Sequence, residues 1–419
     1  MSDSTIFPQT RLQLLSEVIR RGISPTYSDS GTQVINQKCV RHNGTLDLSR
    51  TRNHDSSARK ISPDNYIQPG DALINSTGTG TLGRSAIVTT VSNPLTWDSH
   101  VTLVRPRSDY LDSRFLGYTL QMSENRFITL SQGSTNQIEL SRDVVANLPL
   151  PALSLSEQRR IADYLDRETA QIDAMTEALD GLVARLEERR TSTIASETHA
   201  LIGSTQILPK GWRFAPFKWA VQTHFSGDWG SEPGAAEIDL PCVRVADFDR
   251  QSGTVNDEVP TQRSYTARIY DERHLHTNDL LLEKSGGTPK NPVGRIILYK
   301  GKTGVMTTNF VQCIRLQPSH EPRFWHYVFL SAYETRFTNV HVRQTTGIQN
   351  LDMGGFFAEK FACPPLDEQR RIADHLDAET AKIDAMIAKA GELRALLDER
   401  RSALITATVT GQHPVPEEP

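Results

Sequence analysis

The residues of this chain whose types could do chemistry are not spaced to do it. Gly78-Thr79-Gly80-Thr81-Leu82-Gly83 satisfies the GxGxxG spacing of a dinucleotide-binding turn, but the next residues, Ser85 to Val91, read as a strand. That turn must instead open a helix whose N–H groups hold a pyrophosphate. Gly301-Lys302-Thr303 resembles the end of a phosphate loop, yet six residues separate Gly294 from Gly301 where such a loop has four. His274 and His276 would share one face of a strand, with nothing nearby to complete a metal set. Cys39, Cys242, Cys313 and Cys363 stand at least 50 residues apart, so there is no CxxC pair, and zinc and disulfides are both disfavoured. Asn93-Pro94-Leu95-Thr96 departs at its last two positions from the NPPY-type tetrapeptide of adenine methylation. With no nucleophile elbow and no nuclease core, the chain reads as a non-enzyme with no metal or cofactor of its own.

What remains is chemistry of recognition. Between Lys38 and Lys60 lie six bases (Lys38, Arg41, Arg50, Arg52, Arg59, Lys60) against Asp47 and Asp55, a local positive field of the kind phosphates select. Two glycine-rich loops each end in a Gly-Arg turn. Thr79 and Arg84 belong to the first, and Lys284, Lys290 and Arg295 to the second. Glycine lets a backbone approach phosphate, and Arg or Lys serves phosphate or guanine. Polar loops at 134–137 (with Thr135 and Gln137) and 346–349 (with Gln349) offer hydroxyl and amide groups, and Arg244 and Arg343 complete the candidate DNA contacts. The net charge of -4 and pI near 6.3 exclude coating of nucleic acid by bulk charge, so binding has to be local.

The elements that must position these loops are announced by a duplication. EQRRIADYLDRETAQIDAM from Glu157 recurs as EQRRIADHLDAETAKIDAM from Glu368, and only Tyr164/His375, Arg167/Ala378 and Gln171/Lys382 differ. Leu165, Ile172, Leu179 and Leu186 recur every seven residues, and Ile161, Met175 and Leu182 fall between them as an a/d seam. The second copy sets Leu376, Ile383, Ala390 and Leu397 against Ile372, Met386 and Leu393. Each copy therefore predicts one long coiled-coil helix. The segments before the helices are β-branched runs punctuated by Gly, Pro, Asn and Asp, which read as strand-rich mixed domains. From Glu157 to Glu197 ten acids oppose six bases, and from Asp367 to Arg401 nine oppose seven, so the positive charge sits on the globular parts. The expected class is α+β with a pseudo-twofold internal repeat. Its parts are a domain at 1–152, a helical spacer at 153–204, a domain at 205–364, a spacer at 365–411 and a flexible tail at 412–419. Mean hydropathy is -0.43, no run reaches the roughly 18 apolar residues of a membrane span, and the N-terminus lacks signal-peptide features, which predicts a cytoplasmic protein without membrane contact.

The paired helices opening SLSEQRRIADYLDRETAQIDAM and PLDEQRRIADHLDAETAKIDAM, each behind a variable domain, resemble the DNA specificity subunit of type I restriction-modification systems over the full length. LPKGWR at Leu208 to Arg213 is similarly typical of a domain opening, whereas the first domain begins TRLQLLSEVI without the Gly-Trp. The resemblance implies two target recognition domains, each reading one half of a bipartite asymmetric sequence in double-stranded DNA. The two helices would pair antiparallel, fix the spacing, and dock two copies of a methyltransferase subunit. It implies restriction subunits as further partners, with S-adenosylmethionine, ATP and Mg used on the partner subunits and none on this chain. A specificity subunit of a methylation-only system, or a protein-binding coiled-coil scaffold, are the alternative readings.

Overall fold

A computed structural model of the chain describes residues 6–57, 60–131, 139–198, 208–250, 252–256, 258–344 and 347–416. They fall into two compact units, Met1–Leu179 with Gly391–Pro419, and Asp180–Ala390. Each unit contains one globular domain and a piece of both long helices, Leu155–Thr198 and Leu366–Val409.

The two globular domains share a topology. In the first, an antiparallel sheet runs in the order Ser16–Arg21, Val101–Pro106, Ala72–Asn75, Ser85–Ile87; in the second, the order is Val221–Ser226, Val311–Leu316, Leu280–Glu283, Ile296–Leu298. The strands Ala72–Asn75 and Leu280–Glu283 are buried along their whole length, which explains the apolar run at their first three positions. A second sheet in each domain contains one parallel pair, Thr32–Ile35 with Leu95–Trp97 and Ile238–Val243 with Met306–Thr307. The turn entering each central strand is built alike. Gly70 and Asn278 both adopt positive φ, at 90° and 73°. The next residue, Asp71 or Asp279, is buried and receives a forked pair of bonds from Arg105 or Arg315 at 2.7 to 2.9 Å. Each domain closes just before its helix. Gln9–Arg11 pairs with Pro149–Pro151, and Arg213–Pro216 with Lys360–Cys363.

Within each unit the helix pieces run antiparallel. In the first, Ile161, Ala162 and Leu165 share a core with Ile405 and Val409, and Asp173 meets Arg401 at 3.3 Å. In the second, Ile194 shares a core with Ile372, Ala373 and Leu376, and Arg190 meets Asp384 at 3.1 Å. These two ion pairs are the same pair taken from the two copies of the repeat.

The seam departs from the apolar reading of the sequence. Leu165, Ile172, Leu186, Leu376, Ile383 and Ala390 are buried, and Leu397 is half-buried. The interleaved residues Met175, Leu182, Met386 and Leu393, however, are exposed. Ala162 and Thr169, and in the second copy Ala373 and Thr380, are buried instead, the threonines against Tyr118 and Tyr327 of the domain helices. Small side chains allow close approach, and each threonine hydroxyl is satisfied by its own helix: Thr169 Oγ1 donates to the Leu165 carbonyl at 2.7 Å, and Thr380 Oγ1 to that of Leu376 at 2.7 Å. Ile161 and Ile372 are buried in cores that join domain residues to residues of the other helix.

Each domain is fastened to the start of its following helix by one polar clamp, built twice. On the domain helix Ser113–Met122, Arg114 bonds Asp163 and Asp166 at 2.7 and 2.8 Å, while the Tyr118 hydroxyl donates to Asp166 at 2.7 Å beside Thr169. On Pro322–Glu334, Arg323 bonds Asp374 and Asp377 at 2.8 Å, and Tyr327 donates to Asp377 at 2.7 Å beside Thr380. Gln158 and Gln369 each accept the backbone N–H that caps the domain helix, from Asp112 and Glu321, at 2.9 Å. Burial, acting first, and the adjacent carboxylate push both tyrosine hydroxyls up, so neither ionises in the working range.

Candidate nucleic-acid interface

The basic stretch of the first domain is a scaffolded surface. Asn36 organises it: its Oδ1 accepts from the Lys38 N–H at 2.8 Å, and its Nδ2 donates to the Arg50 carbonyl at 2.9 Å. Asp47 accepts from Ser49 and Arg50, which holds its carboxyl below the usual range. Lys38, Arg41, Arg52 and Lys60 are all exposed around this frame. The Arg52 guanidinium stacks 3.4 Å from the centre of the Tyr27 ring, an arrangement that fixes a planar cation while leaving its edge available.

The first glycine-rich loop uses positive φ at Gly78, Gly80 and Gly83 (103°, 76° and 84°), with Thr79 exposed at its tip. Arg84 is half-buried and folds back, its Nη2 donating to the Gly80 carbonyl at 2.6 Å, so it braces the loop. In the second domain the equivalent arginine turns further inward. Arg295 is buried: it donates to the Arg250 carbonyl at 2.7 Å, lies 3.7 Å from Glu334 and stacks 5.0 Å from the Tyr333 ring centre. Arg295, expected as a DNA contact, has its side chain turned inward in this structure. Gln349, expected as a base or sugar contact, turns inward as well. It is buried in the short strand Gln349–Leu351, and its Oε1 accepts from the Val293 N–H at 3.3 Å.

The remaining candidates divide by exposure. Lys290 and Arg343 are exposed, Arg343 with a partner in Asp352 at 2.5 Å. Lys284 is half-buried, with Nζ donating to Ser226 Oγ at 2.8 Å, and burial lowers its pKa. Arg244 holds Asp247 at 2.8 Å. Thr135 and Gln137 lie outside the described residues. His274 and His276, expected on a strand, occupy the turn after the helix Ala267–Arg273; their Nε2 atoms meet at 2.9 Å, and no metal-ligating cluster is found among the described residues. All four cysteines are buried, and none forms a disulfide.

Sequence reasoning missed the two clamps. Their trace is an Arg and a Tyr four apart on each domain helix, Arg114/Tyr118 and Arg323/Tyr327, aimed at carboxylates about 50 positions later. Nothing local marks the connection.

A sequence model of the type I restriction modification DNA specificity domain matches residues 30–182 and again 251–393. The specificity subunit of type I restriction enzyme StySPI from Salmonella potsdam is 23% identical over 347 residues, covering 80% of this chain and 72% of that protein. Among solved structures, a chain from a study of complex assembly and conformational transition in the type I R-M system superposes with a TM-score of 0.74 at 18% identity, covering 97% of this chain and 98% of that one. The HsdS subunit from Thermoanaerobacter tengcongensis superposes with a TM-score of 0.53 at 17% identity over 97% of both chains. At these identities the structural likeness is one of fold. The two family matches span more than half of the sequence, each across the core of a globular domain and into the helix behind it, and the chain therefore belongs to the type I restriction-modification DNA specificity family.

Proposed function

We propose that this chain is the sequence-reading subunit of a type I restriction-modification complex. It contributes no catalytic residue; each globular domain reads one half of a bipartite, asymmetric site, and the helices set the interval between the halves. The observation that carries this reading is the duplication of fastening without duplication of surface. The same clamp fixes both domains to the same helix positions, while the loops beyond differ: an exposed basic frame around Asn36 in one, a buried Arg295 in the other. One chain thus imitates a dimer with two different reading heads. Exposed Met175 and Leu182, with their repeats Met386 and Leu393, offer matching apolar contacts for two copies of one methyltransferase subunit. That partner would supply adenine methylation from S-adenosylmethionine, and restriction subunits would use ATP and Mg. No helix among the described residues is long and apolar enough to cross a membrane.

The test is to co-express the chain with its methyltransferase in a methylation-free host and map modified bases across the genome. The expected result is one bipartite motif with an unread spacer. Modification without sequence preference, or none, would refute the reading. Met175→Glu with Met386→Glu should abolish capture of the methyltransferase; intact capture would remove the docking assignment.

A further inference from the structure

Beside the second glycine-rich loop lies a concave pocket of about 540 Å³ within the second unit, in the size range of small-molecule sites. Two exposed aromatic rings, Trp229 and Phe310, stand on its rim. Both are held. Arg263 stacks 4.6 Å from the Trp229 ring centre and donates to its carbonyl at 3.0 Å, and the Phe310 carbonyl accepts from the N–H groups of Lys284 and Ser285. Two buried polar side chains line the interior, Glu283 at 2% and Thr308 at 3% exposed. The Glu283 carboxylate takes the Gly287 N–H, but its Oε2 has no hydrogen-bond donor among the described residues, Arg250 remaining 3.6 Å away. Thr308 Oγ1 likewise has no partner among the described residues. Unmade bonds at buried polar atoms are costly, so a donor that enters the pocket beside Glu283 is favoured.

The chemistry of such a donor follows from these side chains. An ionised carboxylate oxygen only accepts, so it requires an amino or N–H donor; the Thr308 hydroxyl, elsewhere on the pocket lining, can donate or accept. In the major groove an amino group is presented by adenine, N6 beside N7, and by cytosine, N4. Guanine and thymine place a carbonyl there. Flat aromatic rims suit a planar base, and Arg244 in the pocket lining suits its phosphate. Resting on the DNA-reading function above, we propose that this pocket is a base-reading slot of the second domain, in which Glu283 and Thr308 recognise one adenine or cytosine by its amino edge. In the first domain the position of Glu283 is held by Asn75, whose Oδ1 also lacks a partner among the described residues. A neutral amide at that place gives the two halves different base preferences.

Two measurements test the slot. In the genome-wide methylation map, Glu283→Gln should lose discrimination at one base of one half-site by about tenfold or more, leaving the other half-site unchanged. Trp229→Ala should weaken methylation of the same motif, and Trp229→Phe should restore it. Independently of any variant, the unaltered chain with its methyltransferase should bind synthetic sites about tenfold less tightly when the amino group of that single adenine or cytosine is removed by a base analogue. A Glu283→Gln protein that keeps the parental motif at every position overturns the slot, as does a half-site that tolerates amino removal throughout. In those cases the parental bipartite motif persists and the specificity reading stands. If the unaltered chain directs no motif, both fall together.

Discussion

The clamp between each domain and its helix makes a quantitative prediction. Tyr327→Phe removes one hydrogen bond to Asp377, formed at 2.7 Å. Because Asp377 keeps Arg323 and some water, the loss belongs at the low end for a charged acceptor, about 1–1.5 kcal/mol. Arg323→Ala removes bonds to Glu321, Asp374 and Asp377 at 2.8 to 2.9 Å. The side chain is 30% exposed, so solvent screening trims the effect to about 2–3 kcal/mol. Both side chains share Asp377, so the double variant should lose less than the sum, with a coupling of at least about 0.5 kcal/mol. Urea unfolding of the full chain, followed through the buried Trp325 in the same core, reads these values directly. Arg114→Ala and Tyr118→Phe should reproduce them in the other unit. If Arg323→Ala leaves stability within about 0.5 kcal/mol of the parent, or if the two changes add without coupling, the clamp does not fasten the domain.

Other perturbations have equally definite outcomes. His326 is fully enclosed, and burial first, then the cations Lys300, Arg190 and Arg295, push its pKa down to about 3 from 6.5. The unfolded chain therefore binds a proton that the folded chain refuses. Stability is complete above pH 6.5 and falls as pH drops toward 3, by about 2 kcal/mol at pH 5; His326→Gln should flatten that part of the stability profile, and an unchanged slope would refute the assignment. Lys38→Ala with Arg41→Ala should weaken DNA binding at all sequences alike and reduce the slope of log affinity against log salt by about 0.9 for each phosphate left unneutralised; a constant slope would exclude them from the interface. Adding seven residues at Gly181 and seven at Gly391, where a side chain would meet nothing within 4 Å, keeps the seam in phase and lengthens each helix by about 10.5 Å. The methylated motif should keep its bases and gain about three base pairs of spacer at about 3.4 Å each, and an unaltered spacer would show that the helices do not set it.

The architecture was legible because duplication and heptad spacing are linear in sequence. The seam register was not. A count of apolar residues favours Met175 and Leu182 over Thr169 and Ala162, but the globular domain that packs on the start of the helix buries Thr169, whose hydroxyl bonds its own helix and meets Tyr118. The interface was legible in part. Both Gly-Arg turns have the same local geometry, with φ of 84° at Gly83 and 106° at Gly294, yet Arg84 lies over its own loop while Arg295 is captured by Glu334 and Tyr333 from a distant helix. Local pattern fixes the turn, and tertiary packing decides where the side chain after it goes. Glu283 gave no signal for the same reason: as the last residue of an apolar strand it reads as the polar end of a buried run.

The two clamps also bear on how specificity is distributed along the chain. Gln158, Asp163, Asp166 and Thr169 recur as Gln369, Asp374, Asp377 and Thr380, inside the duplicated stretch, and each set receives one backbone N–H, one arginine and one tyrosine from its domain. Of the domain, the clamp asks only for a helix with Arg and Tyr four residues apart and a cap that points its N–H at the glutamine. Those requirements are met far in sequence from the basic frame at Asn36 and from the pocket at Glu283. A domain is therefore free to change its loops, and with them the bases it reads, without altering its fit to the helix. The same independence explains why the helices are nearly identical between the two copies while the domains they carry are not.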